Sequence, residues 1–154
     1  MRVYARIMSA EPGDSPAAPL LDPSCTCTAL RRAARAATAS YDAALAPAGL
    51  RVTQFAILRI LARLGPLPVS RLAEEAALDR STMGRNLDPL ERRGLVELNP
   101  DAQDGRARVA ALTGAGEGAI AAALPHWRAV EARLGARLAP GALAALVAAL
   151  AAQT

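Results

Sequence analysis

The sequence predicts a mainly α chain with one small β-hairpin, and three observations lead there. Apolar residues recur at helical spacing through most of the chain, as in Leu30, Ala34, Ala37, Tyr41 and Leu45. Residues 69–94 hold two short helical periods joined at LeuAsp, and Met83, Leu87 and Leu90 mark the inner side of the second. Beyond Gly94 the period changes, and two apolar segments, Leu95 to Leu98 and Arg108 to Leu112, flank the turn-rich loop NPDAQDGR. Helix, turn, helix, hairpin is the layout of a winged helix-turn-helix.

Size and composition narrow the class. A chain of 154 residues has room for one domain with a real core. Hydrophobic residues reach 53%, but Ala supplies most of the excess, so bulky apolar surface is scarcer than that figure suggests. With aromatic residues at only 3%, no base-stacking platform for single strands is available. The longest uninterrupted apolar run, Ala142 to Ala152, is too short for a bilayer, and no apolar segment follows Arg2 and Arg6 to make a signal peptide. The expectation is a cytoplasmic protein without a membrane partner. All 18 basic residues are Arg, and the net charge of +4 is too mild to argue for nucleic acid alone.

Taken in order, residues 1–22 carry Pro and no periodicity and read as a flexible tail, within which MSAEPGDSP from Met8 also has the form of an N-terminus. The rest, 23–154, reads as a single domain. A first helix runs from Ser24 to about Ala46; its Ala-rich face suits close helix packing in a dimer seam or in a single-chain bundle. A second, capped by Thr53, spans about Thr53 to Leu64, with Phe55, Leu58, Leu61 and Ala62 inward and Gly65-Pro66 as its stop. Ser70 is the expected N-cap of the next helix, which ends near Leu78, and Asp79 is the expected cap of the one after it. Thr113 should cap a long helix running to about Leu138, kinked at Pro125, and Pro140 should open an amphipathic last helix.

The run LDRSTMGRNLDPLERRGLVEL, followed by DAQDGRARVAALTGAG, resembles the MarR family of bacterial transcription regulators. The family's wing pattern is met by Asp101, Asp104, Arg106, Val109, Leu112, Thr113 and Gly116, and the resemblance covers roughly residues 25–152. It implies a homodimer, intertwined through helices at about 24–46 and 113–152, that presents two winged lobes of about 53–112 to a pseudo-palindromic operator in double-stranded DNA. The first reading is then a repressor, relieved by a small-molecule effector, which the resemblance makes typically a small aromatic acid held between dimer domain and DNA lobe, or by cysteine oxidation or metal binding. Tyr41, Arg51 and Trp127 are the candidates for lining such a crevice.

The DNA-facing candidates follow from helix geometry. Opposite Met83, Leu87 and Leu90 lie Arg80, Ser81, Thr82, Arg85 and Asn86. Arg pairs with the guanine edge and Asn with the adenine edge, whereas Ser and Thr more often hold phosphates. Gln54 and Ser70, each in a first helical turn, sit where a phosphate contact or a plain capping turn would place them. In the wing, Asp104 and Arg106 form the turn. The resemblance favours Arg106 for the minor groove, while Arg108, on the returning strand, is placed to pair with Asp101 or Asp104; the reverse assignment remains open. Gly84 inside the reading helix either permits close approach to DNA or simply weakens the helix, and Pro89 should bend it.

Cys25 and Cys27, the only cysteines, fall at the first and third helical positions if Ser24 is the cap. Helix-end amides would stabilise a thiolate there, so redox or effector sensing stands beside simple packing of two small apolar residues. Side chains at this spacing point apart, and a metal would need ligands from both chains or elsewhere, so its identity stays unknown.

No enzyme is indicated. His126 is alone on a long helix, and Gly114, Gly116 and Gly118 lack the strand-to-helix context and Lys of a phosphate loop, so no cofactor is expected. Two other readings compete: a winged-helix protein-interaction module that has lost DNA binding, suggested by Gly84 and Pro89, and more distantly a thiol oxidoreductase. The thioredoxin spacing and its βαβ context are both absent for the latter.

Overall fold

The computed structural model describes residues 25–101 and 107–152. In chain order its elements are α1 (Thr26–Leu45), a 3-10 turn (Ala46–Ala48), α2 (Val52–Leu64), β1 (Leu67–Pro68), α3 (Val69–Glu75), α4 (Arg80–Arg92), β2 (Val96–Pro100), β3 (Arg108–Leu112), α5 (Gly114–Gly135) and α6 (Ala142–Ala151). The chain divides into two units, residues 1–39 and 40–154. The described part of the first is helical from Thr26 onward. The second holds the core and the sheet.

That core gathers the inner sides of α2, α3, α4, the sheet and α5. Phe55, Ile57, Leu58 and Leu61 of α2, Leu72 and Ala73 of α3, Met83, Leu87 and Leu90 of α4, Val96, Ala110 and Ala123 are all buried, with Leu45 and Leu50 at the α1–α2 corner. The expected inner residues of α4 are the observed ones. In α2, Ile57 takes an inward place and Ala62 is exposed, contrary to expectation, because the buried stripe runs through Leu58 and Leu61.

The wing has three strands rather than two. β3 lies between β2 and β1, antiparallel to both, with Val96 opposite Leu112, Pro100 opposite Arg108 and Leu67 opposite Ala110. β1 is two residues long, too short to leave any alternation in the sequence. Its consequence is local. Pro68, extended at φ −53° and ψ 139°, is itself the residue before α3, so Ser70 lies inside the helix, exposed, and is not the cap.

Several helix ends differ from expectation for identifiable reasons. α3 stops at Glu75, short of Leu78, because Ala77 adopts the left-handed conformation (φ +51°). Its amide donates to the Glu74 carbonyl and that of Leu78 to the Ala73 carbonyl, which is the termination glycine ordinarily provides. Gly94 (φ +66°) makes the same closure for α4, as expected, through Leu95 N and the Leu90 carbonyl. α2 begins at Val52 with Arg51 as the cap residue, not Thr53. The amide of Val52 donates to Asp42 Oδ1 at 2.8 Å and that of Arg51 to Gln54 Oε1 at 3.1 Å, so a carboxylate from α1 supplies half the capping. α5 ends at Gly135, and α6 starts at Ala142 behind left-handed Gly141 rather than at Pro140.

Thr113 caps α5 as expected: its Oγ1 accepts from Gly116 N at 3.0 Å and its hydroxyl donates to the Gly94 carbonyl at 2.7 Å. Gly116 is buried where the start of α5 crosses the entry to β2. A Cβ there would lie 2.2 Å from the Leu95 carbonyl oxygen and 2.5 Å from Leu112 Cδ1. The Thr and Gly of the wing pattern thus have structural work: they dock α5 onto the hairpin.

Candidate nucleic-acid interface

The polar side of α4 is built from its first residue. Asp79, in extended conformation, accepts at Oδ1 from the Thr82 amide (2.8 Å) and the Ser81 hydroxyl (2.6 Å), and at Oδ2 from the Thr82 hydroxyl (2.7 Å). Those bonds, the Ser81 hydroxyl first, hold its carboxyl well below the usual carboxylate range. One turn further, Arg85 Nη2 donates to Ser81 Oγ at 3.3 Å and Thr82 Oγ1 at 3.4 Å. Asn86 Nδ2 donates to the Thr82 carbonyl at 2.8 Å. Arg80, Ser81 and Arg85 are exposed, and Thr82 and Asn86 are half-buried. Ser81, Thr82 and Arg85 are thus joined on the side of α4 away from the buried Met83, Leu87 and Leu90, with Arg80 and Asn86 at its borders.

Pro89 leaves α4 unbroken from Arg80 to Arg92. A Cβ on Gly84 would meet nothing within 4 Å, so no packing inside the molecule requires a glycine there.

The remaining candidates are distributed around this face. Ser70 is exposed in α3. Gln54 has its carbonyl oxygen committed to the Arg51 amide, which is the capping role. It lines a groove with Asp42, Gly49, Leu50, Arg51 and Pro89. Arg93 spans this corner, donating from Nη1 to the Gly49 carbonyl at 2.6 Å. Arg108 forms its ion pair with Glu91 of α4 at 3.1 Å and also donates to the Leu98 carbonyl at 3.3 Å. The expected partners were Asp101 or Asp104; a contact between the wing strand and the helix before it was not visible in a reading confined to the loop. Asp104 and Arg106 lie outside the described residues.

Tyr41, Arg51 and Trp127 each make their own contacts. The Tyr41 hydroxyl donates to Glu131 Oε1; burial, then this bond, push its pKa up to about 12. Trp127 packs on Phe55 with ring centroids 6.1 Å apart, and the Arg59 guanidinium lies 4.4 Å from the Trp127 centroid. Arg51 belongs to the groove beside Pro89.

At the start of α1 the helix begins at Thr26, so Cys25 precedes it and Cys27 is its second residue, not the first and third positions expected. Ser24, the expected cap, lies outside the described residues. Cys25 is partly exposed and Cys27 exposed. Hydrogen bonding from Thr28, its amide first and then its hydroxyl, lowers the Cys25 pKa. Among the described residues no group of three or more His, Cys, Asp and Glu side chains could hold a metal. Nor is any single helix there long and apolar enough to cross a membrane.

Comparison with known proteins agrees with this architecture. Residues 50–107 match the MarR family profile. The transcriptional regulator HosA of Escherichia coli is 38% identical over 72 residues, 47% of this chain, which spans about half (53%) of HosA's length. The HTH-type transcriptional repressor Rv2887 of Mycobacterium tuberculosis is 35% identical over 97 residues, covering 63% of this chain and 70% of the repressor. Among solved structures, the M. tuberculosis transcriptional regulator MosR in complex with DNA superposes with a TM-score of 0.75 at 36% identity, over 82% of this chain and 93% of MosR. With its hairpin wing, its buried Gly116 and its arginine-bearing α4, the chain belongs to the MarR family of winged helix-turn-helix proteins.

Proposed function

We propose that this protein is a sequence-specific DNA-binding transcription regulator acting as a homodimer, with α4 entering the major groove of each half-site. The observation that carries the reading is the amphipathic α4, where exposed Ser81 and Arg85, bordered by Arg80 and Asn86, lie over an underside of buried Met83, Leu87 and Leu90. Arg85 and Asn86 read base edges and Arg80, Ser70 and Gln54 hold the backbone, while the Ser81 and Thr82 hydroxyls stay committed to Asp79. Arg106 enters the minor groove, and Arg108 anchors the strand to α4 through Glu91.

Two things support the dimer. The apolar side chains of α6, Leu143 (61% exposed), Val147 (58%), Leu150 (41%) and Leu146 (39%), contribute nothing to the core. A pseudo-palindromic site also requires two copies of the reading helix. Repression is the proposed mode, as the name of the Rv2887 repressor states for that protein. A small-molecule effector, or oxidation or metal binding at Cys25 and Cys27, is the proposed release. The protein-interaction alternative drew on Gly84 and Pro89. It is the weaker reading because α4 remains continuous and its basic residues remain outward.

Mobility-shift titration against operator fragments tests the proposal. Arg85→Ala should cost ~1–3 kcal/mol of specific binding and relax preference at one position per half-site, whereas Arg106→Ala should weaken all sequences evenly and shallow the salt slope. Unchanged operator affinity in both variants would transfer the case to the interaction module.

A further inference from the structure

The hydrogen bonds at the start of α4 run in one direction, and that direction has a consequence for Arg85. A hydroxyl owns one proton and two lone pairs. Ser81 and Thr82 each donate theirs to the Asp79 carboxylate, at 2.6 and 2.7 Å. Towards every other neighbour these two oxygens can then act only as acceptors. The neighbour one turn on is Arg85, whose Nη2 lies 3.3 Å from Ser81 Oγ and 3.4 Å from Thr82 Oγ1.

We infer that Asp79 is a positioning residue for base reading: it fixes the Ser81 and Thr82 hydroxyls as acceptors, and they hold the Arg85 guanidinium on the exposed surface of α4. Asp79 touches no base in this account and acts through Arg85 alone. The donor count is consistent. A guanidinium has five N–H groups, and both holding contacts fall on Nη2. One Nη2 proton shared between the two hydroxyl oxygens would leave the other parallel to a proton of Nη1, the pair that fits the two acceptors of a guanine edge, O6 and N7. The holding bonds are long, which suits a side chain that must be aimed without being tied down. An arginine so exposed would otherwise spread over many rotamers and lose that freedom only on binding. Because hydrogen bonding keeps Asp79 ionised far into acid, its acceptors are not lost at any pH at which the protein would act.

This inference rests on the proposed function, and its test separates the two. The readout is the ratio of affinities for a matched operator and for one in which the base pair read by Arg85 is swapped, measured by fluorescence anisotropy. Arg85→Ala identifies that pair as the position whose preference it abolishes. Asp79→Ser keeps an oxygen to cap the Thr82 amide but cannot hold both hydroxyls. It should lower the ratio by about three- to tenfold, the cost of ordering one long side chain on binding. In an Arg85→Ala background the same substitution should lower it no further, which a purely structural role for the cap would not produce. Ser81→Ala with Thr82→Val leaves the Asp79 carboxylate and its amide bond in place and should reproduce the loss, so the idea survives a poorly folding Asp79 variant. An unaltered ratio in Asp79→Ser or in the Ser81, Thr82 pair overturns the inference, as do losses that simply add to that of Arg85→Ala. A ratio that Arg85→Ala itself does not move overturns base reading by this arginine, and the positioning role with it.

Discussion

Replacing Gly116 by Ala asks whether the start of α5 is pressed against the wing as closely as its geometry says. The added Cβ would sit 2.2 Å from the Leu95 carbonyl oxygen, against a lower limit near 3.0 Å for real Cβ contacts, so the separation must grow by about 0.8 Å. Neither side yields easily. Leu95 O is backbone, already accepting from the Thr113 amide at 3.3 Å, and Gly116 N is held by Thr113 Oγ1 at 3.0 Å. Overpacking of this kind costs ~1–3 kcal/mol, and a close backbone clash belongs at the upper end. Against it stands the better helix propensity of Ala, ~1 kcal/mol. The net expectation is a loss of about 1–2 kcal/mol, or roughly 2–8 °C in thermal midpoint for a chain of this size. Gly118 is the internal control: it lies in the same helix with nothing within 4 Å of its missing Cβ, so Gly118→Ala should be neutral or stabilising. Urea unfolding at fixed protomer concentration compares the two, since an oligomer's midpoint moves with concentration. Equal stability of the two variants would refute the close approach.

Two further substitutions probe separate parts of the account. Gly84→Ala should raise stability by up to ~1 kcal/mol in chemical denaturation, because its Cβ enters open space in mid-helix; a fall would contradict the placement of α4. If operator affinity drops in that variant while stability rises, the missing Cβ serves close approach to DNA. The Tyr41 phenol, raised to about 12 by burial and by Glu131, should give a phenolate absorbance step near pH 12 in a Tyr4→Phe background. Since the folded value lies above the ordinary one, the stability it contributes is complete below pH 10 and disappears between about 10 and 12. A step at the ordinary value of 10.0 would mean that the pairing of Tyr41 with Glu131 is absent in solution.

What could be read from the sequence was what short-range chemistry writes there. Asp79, the spacing of Met83, Leu87 and Leu90, and Gly94 define α4 from start to stop, and its polar surface follows from the same spacing. Thr113 as the cap of α5 was equally local. The misplaced boundaries have distant or disguised causes. Half the capping of α2 comes from Asp42, ten residues before Val52. The end of α3 is a left-handed turn made by Ala77, without the Gly or Asn that would announce it. β1 exists only because β3 lies beside it. Ser81 and Thr82 were legible as polar surface, but the commitment of both hydroxyl protons to Asp79 was not. The ion pair of Arg108 joins residues seventeen apart, brought together by the hairpin. Neither length nor composition could show that Trp127 packs with Phe55 and Arg59.

The central claim, that this chain reads double-stranded DNA through α4 as a two-fold dimer, meets its most direct test in selection from a randomised duplex library. The account predicts an enriched inverted repeat whose half-site centres lie about one helical turn, roughly 10 bp, apart or a multiple of that. Repeating the selection with Arg85→Ala should return the same repeat with its preference lost at one symmetry-related position in each half. Recovery of no repeat, or of an identical motif with the variant, would contradict it.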